Sequence, residues 1–368
     1  MVKVCHVTSV HNRYDVRIFH KECKSLAKNG YDVTFLVNDE LEDEIVDDVK
    51  IISTKEVYPA RIERLIKGVR NIIKKALEVD ADIYHLHDPE LLLIAKKLKK
   101  NGKKVIFDSH EYYYNQIKTK SYIPKVLRNI IASVYKLEED RACKYIDAAI
   151  FPCPIYNMHP FEDRVKICEF IDNTPIIDDE LRGKGKKEKK EAVCCVGSLT
   201  KERGIEVLID ACYLAKVPLV LAGNYSPNEF KSYLENKKSY SIVDYRGVCN
   251  REEVQQIYDE TLIGASNILR VGQYPFANNL PTKVYEYMMN SMPFIISDFE
   301  YFKKVVDKYK CGILVDPSNV QEIAKSIKWI ISNKEEAIKM GKKGYDLVES
   351  ELNWKREENK LCKLYKKL

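Results

Sequence analysis

The residues best suited to do chemistry lie in one stretch, NNLPTKVYEYMMNSMPFIIS, at residues 278–297. Pro281 predicts the start of a helix, because a proline in the first helical position loses no hydrogen bond, and the apolar run from Phe294 predicts a buried strand. Lys283 and Glu286 lie three residues apart and share a face beside the free amides of the helix start, which suits a phosphate bound together with a hydroxylated sugar or ribose. The alternative is an ordinary amphipathic helix in which these two residues form an ion pair.

A second stretch, EAVCCVGSLTKERGIEVLIDAC at residues 191–212, predicts a buried strand, a Gly-Ser turn and a helix. Arg203 directly precedes Gly204, where that helix is expected to begin. The sequence therefore places a second cation beside a second helix start.

In the first half of the chain, two strand patterns end in polar residues, HLHDPELL and FDSHE. They place His85, His87 and His110 at or near the carboxyl ends of parallel strands, where ligands collect. A single histidine there is typically a structural residue, but two such strand ends favour at least one histidine lining a cleft. The loop after the first strand lacks the GxGxxG dinucleotide pattern. Its Asp15 and Arg17 are expected to brace the loop or to contact a ligand.

The composition indicates a globular protein of two α/β domains, because 368 residues exceed one ordinary core. No apolar run is long enough to cross a bilayer and no export signal is visible, so we expect a cytoplasmic location. The net charge is a modest +6, and no nucleic-acid partner is expected. The eleven cysteines form no CxxC pattern, so they are interpreted as buried apolar residues rather than as zinc ligands.

Lysines cluster from Lys96 to Lys104, and an aromatic and basic segment runs from Tyr112 to Lys125 into a long amphipathic helix. Its apolar residues are interpreted mainly as packed core, and the alternative is an edge that faces an acceptor or the inner face of the cell membrane. These residues are Tyr122, Ile123, Val126, Ile130 and Ile131.

The chain resembles the GT-B glycosyltransferases of family 4 over essentially its whole length. The motifs that carry the resemblance are TSVHNRYDVRIFHKE, HLHDPELL, FDSHE, VGSLTKERGIEVLIDA and LPTKVYEYMMNSMPFIIS. The resemblance implies two doubly wound Rossmann-like domains that face each other across a cleft. We expect an acceptor-binding domain at 1–175, a lysine-rich linker at 176–191 and a nucleotide-sugar-binding domain at 192–345. A C-terminal helix at 346–368 is expected to cross back to the first domain.

The resemblance also implies residue roles. Arg203 and Lys283 would neutralise the donor diphosphate, and Glu286 would bind the ribose. Asn278 replaces a family glutamate near the reacting carbon, so only a hydrogen bond to a sugar hydroxyl survives there. Ser198 replaces a frequent arginine, so the diphosphate has one cation fewer.

Other positions follow from the same resemblance. Gly197 allows close backbone approach to the donor, Val248 contacts the base through its main chain, and His110 lies near the transferred sugar. The remaining donor contacts are expected at Asn279, Leu280 and Thr282.

The activity that the resemblance implies is retaining transfer of a sugar from a nucleoside diphosphate, UDP rather than GDP, to an acceptor hydroxyl. The acceptor is expected to be a lipid-linked or surface-polysaccharide precursor. No cofactor and no metal ion are expected, because the family that the chain resembles is metal-independent. Cations aimed at the departing phosphate lower the barrier, because negative charge develops there. The alternatives are a sugar-nucleotide epimerase or hydrolase of the same fold, and a non-catalytic sugar-nucleotide-binding partner subunit.

Overall fold

A computed structural model describes residues 1–58, 63–119, 123–177 and 189–368. The chain divides into two compact units, Met1–Asn173 together with Trp354–Leu368, and Thr174–Asn353. The unit boundaries therefore fall after residues 173 and 353, where the sequence suggested 175 and 345. Most of the expected linker, residues 178–188, lies outside the described residues.

The first unit is built on an eight-stranded sheet in the order β3-β4-β2-β1-β5-β6-β7-β8. Among the strands of the described residues, only the β3–β4 pair is antiparallel. The strand order reverses between β1 and β5, the position at which open α/β sheets bind their ligands. The strands are β1 (Lys3–Val7), β2 (Asp32–Val37), β3 (Glu44–Val46), β4 (Val49–Ser53), β5 (Ile83–Leu86), β6 (Lys104–Asp108), β7 (Ala148–Phe151) and β8 (Ile167–Phe170).

Helices cover this sheet, so its central strands β1 and β5 are almost wholly buried. Several helices begin with irregular turns, as at Val16–Cys23, Arg64–Gly68 and Pro89–Ile94. The regular helices are Lys24–Lys28, Val69–Val79, Ala95–Lys100, Tyr113–Thr119, Lys125–Cys143 and the C-terminal helix Trp354–Tyr365.

The C-terminal helix buries Trp354, Leu361 and Leu364 in the core of the first unit. The Trp354 indole also donates a hydrogen bond to Ser25 Oγ at 2.8 Å. The expected helix at 346–368 is too long, because residues 346–350 end a separate helix, Lys334–Ser350, that packs in the second unit.

The second unit has a six-stranded, wholly parallel sheet in the order β11-β10-β9-β12-β13-β14, and its order reverses between β9 and β12. The strands are β9 (Lys190–Val196), β10 (Leu219–Ala222), β11 (Val243–Tyr245), β12 (Thr261–Ser266), β13 (Phe294–Ser297) and β14 (Ile313–Val315). The helices are Ile205–Ala215, Asn228–Glu235, Lys238–Ile242, Arg251–Glu260, Tyr274–Phe276, Thr282–Met289, Glu300–Tyr309, Val320–Ser332 and Lys334–Ser350. The predicted fold class, two α/β domains with parallel sheets, is confirmed.

The Lys125–Cys143 helix corrects one sequence interpretation. Val126, Ile130 and Ile131, interpreted as packed core, are 82%, 58% and 41% exposed. Leu127, Val134 and Leu137 are exposed on the same side, at helical spacing. The hydrophobic period showed that one face is apolar, but nothing in the first unit covers that face among the described residues. Tyr122 lies outside the described residues.

Candidate active site

In the second unit, Lys283 lies beside the carboxyl end of β9. A Cβ atom on Gly197, the residue after this strand, would be 3.7 Å from Lys283 Nζ. The same amino group donates to Cys195 Sγ at 3.3 Å. Lys283 forms no ion pair with any described residue, so the helical ion pair with Glu286 that the sequence left open is not formed. The ammonium group therefore points to the strand end with its charge uncompensated.

Glycine is required at this strand end for a physical reason. Gly197 has φ +114° and Gly223, after β10, has φ +134°. A Cβ on Gly223 would fall 1.9 Å from the carbonyl oxygen of Gly197. The two turns can touch only because neither residue has a side chain. Ser198, next in the chain, is exposed.

Arg203 lies where the sequence placed it, just before the helix Ile205–Ala215. Its guanidinium stacks on the Tyr274 ring, with Cζ 4.9 Å from the ring centroid. Like Lys283, it makes no ion pair with a described residue. Tyr274 begins the short helix Tyr274–Phe276, which leads to Asn278, so this stacking connects Arg203 to the segment that precedes the 278–297 stretch.

Glu286 is held by a residue that sequence reasoning missed. The Tyr258 hydroxyl, on the helix Arg251–Glu260, donates a hydrogen bond to Glu286 Oε2. Burial, with the nearby Glu286 charge, raises the pKa of Tyr258 well above its usual value, so the phenol stays protonated and remains a donor. The carboxylate is thereby fixed in one orientation.

The remaining predicted donor contacts differ in exposure. Asn278 and Asn279 are half-buried, and Thr282 is exposed at the first position of its helix. Leu280 is 1% exposed and packs in the core, so only its main chain is available to a ligand. Val248 is 68% exposed after Gly247, whose carbonyl oxygen accepts from Gly223 N at 2.6 Å.

In the first unit, His110 lines a cavity of about 870 Å³. Its Nε2 lies 3.2 Å from Asp108 Oδ2 and 3.3 Å from His87 Nδ1. The cavity wall is mixed in character. Its polar lining includes His11, Asp88 and Glu90, and its apolar lining includes Leu65, Leu92, Leu93 and Ile117.

The loop after β1 is braced as the structural alternative predicted. Asp15 caps the next helix by accepting from Arg17 N and Ile18 N at 2.8 and 2.9 Å. The Arg17 guanidinium donates two hydrogen bonds of 2.9 Å to Asp108. Both residues therefore support the cavity wall rather than lining it.

Two cavity residues were absent from the sequence prediction. Asp88 accepts from Thr8 Oγ1 and Ser9 N, both at 2.7 Å, so it is a fixed acceptor. Burial alone lowers the pKa of His11, but its hydrogen bond to Asp15 and the charge of Asp88 raise it above the usual value overall. Asp88 follows His87 in the HLHD motif, and that proximity was the available signal.

Two models of known protein families match this chain. Residues 177–347 match the family described as glycosyl transferases group 1, and residues 16–155 match glycosyltransferase family 4. The chain belongs to these GT-B glycosyltransferases and is an enzyme of that class. No curated protein matches it in sequence.

Solved structures share the fold. Sucrose-phosphate synthase from Thermosynechococcus elongatus is 14% identical, with a TM-score of 0.74 over 100% of this chain and 99% of that one. HepE from Anabaena, in complex with UDP and glucose, is 13% identical with a TM-score of 0.70 over 100% of both chains. WaaG, a glycosyltransferase involved in lipopolysaccharide biosynthesis, is 10% identical with a TM-score of 0.67 over 98% of both.

Proposed function

We propose that this protein transfers a sugar, with retention of configuration, from a nucleoside diphosphate to an acceptor hydroxyl. The second unit binds the donor and the first unit binds the acceptor. The observation that carries the proposal is a pair of cations, Lys283 and Arg203, that have no carboxylate partner among the described residues. Unpaired cations beside a glycine turn suit a diphosphate.

The chemistry follows from where charge develops. As the sugar–phosphate bond breaks, negative charge grows on the leaving diphosphate, and Lys283 and Arg203 stabilise it. Each charge-assisted hydrogen bond contributes about 1.5–3 kcal/mol. Glu286, held by Tyr258, accepts hydrogen bonds from the ribose hydroxyls. No cofactor takes part, and no metal ion is assigned to the transfer.

Retention is proposed to proceed on one face of the sugar. The family resemblance implies that Asn278 lies near the reacting carbon, and an amide is a poor nucleophile for a double displacement. Asn278 is therefore assigned a hydrogen bond to a sugar hydroxyl. The departing phosphate then accepts the proton of the acceptor hydroxyl.

UDP is the proposed nucleotide, and its support is the fold shared with HepE, which was solved with UDP and with UDP-glucose. Val248 N–H and C=O groups are the proposed contacts to the base, with Asn279 and Thr282 beside the phosphates.

The proposed acceptor is a lipid-linked or surface-polysaccharide precursor. The first-unit cavity combines His110 and Asp88 with apolar side chains, which suits a sugar joined to a hydrocarbon. The shared fold with WaaG, a protein of lipopolysaccharide biosynthesis, agrees with such an acceptor.

The exposed apolar face of the Lys125–Cys143 helix supports peripheral contact with the cytoplasmic face of a membrane. None of the described helices has both the length and the apolar composition needed to span a bilayer. An apolar face flanked by Lys125 and Lys136 instead suits the headgroup region of an anionic membrane.

Membrane contact is tested by sedimentation with anionic liposomes at low salt. Replacing Val126, Ile130 and Val134 together by serine should release the protein into the supernatant. The control is Ile338→Ser, which changes a 67% exposed residue in the second unit and should leave binding unchanged. Equal sedimentation of both variants would exclude this helix as the contact.

Sugar transfer itself is tested by incubating the protein with UDP-sugars and a panel of lipid-linked glycans. UDP should be released only when an acceptor is present, and the anomeric proton of the product should show the configuration of the donor. Release without an acceptor would identify a hydrolase, and an inverted product would refute retention.

A further inference from the structure

Three histidines and one glutamate that are distant in sequence meet inside the first unit. His6 on β1 and His85 on β5 are paired across the two strands. His87 lies two residues beyond His85 and so faces the same side of the sheet. Glu22, in the helical segment Val16–Cys23, covers that side. All four side chains are fully buried.

The atoms of this cluster converge on one point. Glu22 Oε2 lies 3.9 Å from His6 Nδ1, from His85 Nε2 and from His87 Nε2. His6 Nδ1 and His87 Nε2 are 2.9 Å apart. Four ligand atoms, one from each residue, all lie within 4.8 Å of one another. Tetrahedral zinc with bonds of about 2.0–2.1 Å has ligand atoms about 3.3–3.4 Å apart. Binding would therefore draw Glu22 Oε2 inward from 3.9 Å and move His6 Nδ1 and His87 Nε2 apart from 2.9 Å.

Two members of the cluster have buried polar atoms that nothing in the described structure satisfies. Both carboxylate oxygens of Glu22 and Nε2 of His85 lack a hydrogen-bond partner. Arg17 Nε lies 3.1 Å from Glu22 Oε1, but its guanidinium is already engaged by Asp108. Glu22 Oε2 and His85 Nε2 are thus buried polar atoms without a hydrogen-bond partner, which is costly, and a cation at the common point satisfies both.

The outer atoms of the histidines are already held. The Tyr365 hydroxyl, from the C-terminal helix, lies 2.8 Å from His85 Nδ1 and 3.4 Å from His6 Nε2. His87 Nδ1 lies 3.4 Å from Asp108 Oδ2. Such outer contacts orient metal-binding imidazoles and fix their tautomers.

We propose that His6, Glu22, His85 and His87 bind a structural Zn²⁺ ion in the first unit. Three imidazoles and one carboxylate suit zinc, whereas Mg²⁺ and Ca²⁺ require mostly oxygen ligands and Cu⁺ prefers thiolates. Four protein ligands leave no open position, so the ion stabilises the fold and takes no part in sugar transfer. The ion replaces the proton that His6 and His87 otherwise share. The sequence-based expectation that zinc is absent rested on the cysteine pattern, and this site contains no cysteine.

The test measures the metal content of the full chain, produced with Zn²⁺ in the medium and passed over a chelating resin. We expect about one equivalent of Zn²⁺ in the wild type and none in Glu22→Gln or His85→Asn. Tyr365→Phe should bind Zn²⁺ about 10–100-fold more weakly. The matched control is His159→Gln, which changes a buried histidine of the same unit outside the cluster and should retain the ion.

A second measurement needs no variant. The wild type is unfolded and refolded with a chelator or with Zn²⁺ alone, and the melting temperature should be higher with Zn²⁺. The proposal is overturned by equal melting temperatures in the two samples. It is equally overturned by wild-type protein without zinc, or by zinc retained in both Glu22→Gln and His85→Asn. None of these readouts depends on sugar transfer.

Discussion

The sharpest prediction concerns the charge of Lys283. We expect Lys283→Met, which keeps the length of the side chain and removes its charge, to weaken UDP binding. The loss of one charge-assisted hydrogen bond is worth about 1.5–3 kcal/mol. Since about 1.4 kcal/mol is a factor of ten, the Kd should rise roughly 10- to 150-fold.

The structure also predicts that this variant folds normally. Lys283 forms no ion pair with a described residue, and its hydrogen bond to Cys195 Sγ is weak. Substitutions of this kind change the free energy of unfolding by about 0.5 kcal/mol or less. We therefore expect the affinity for UDP to fall while the free energy of unfolding stays nearly unchanged.

The assay is titration calorimetry with UDP and with uridine at one ionic strength. Lys201→Met is the matched control, because it removes the same charge from an exposed residue close to Arg203. Only Lys283→Met should lose affinity for UDP, and the affinity for uridine should not change. UDP affinity within twofold of the wild type in Lys283→Met would show that Lys283 does not bind the diphosphate.

Three further predictions concern the contact that holds Glu286 and the stability of the fold. Tyr258→Phe removes the donor to Glu286 and should weaken UDP binding about 2- to 10-fold, from about 0.5–1.5 kcal/mol. Calorimetry should show no additional loss when Tyr258→Phe is added to Glu286→Gln, and full additivity would refute the contact. Gly204→Ala should lower the free energy of unfolding in urea by about 1–3 kcal/mol more than Gly272→Ala does. Both glycines have positive φ, but only at Gly204 would the new Cβ lie 2.0 Å from a backbone oxygen, that of Asn267. An equal loss of unfolding free energy in the two variants would contradict the predicted clash with Asn267. Burial lowers the pKa of His159 to about 4, so the unfolded chain takes up the proton first, and this residue alone should cost the wild type up to about 3 kcal/mol of unfolding free energy as the pH falls from 6.5 to 4. His159→Gln should lose correspondingly less over that range, and equal losses in the two proteins between pH 7 and 4.5 would contradict this.

The sequence alone determined the features that depend on neighbours in the chain. Pro281, the spacing of Lys283 and Glu286, and the Arg203–Gly204 pair encode two helix starts, and the structure has helices at Thr282–Met289 and Ile205–Ala215. Periodicity likewise encodes the strands and the two α/β domains. The motifs that carried the family resemblance are equally local.

Tertiary structure decided what these elements meet. Periodicity shows that the Lys125–Cys143 helix has an apolar face, but only packing shows whether another element covers it. The bond from Tyr258 to Glu286 joins two helices, so no spacing in the sequence predicts it.

The buried histidine cluster shows the same limit most clearly. His6 and His85 are neighbours only because β1 pairs with β5, and Tyr365 reaches them only because the last helix packs on the first unit. Strand order is set by how the whole sheet buries its apolar surface. For that reason, a site assembled from the start, middle and end of the chain is visible only in the folded protein.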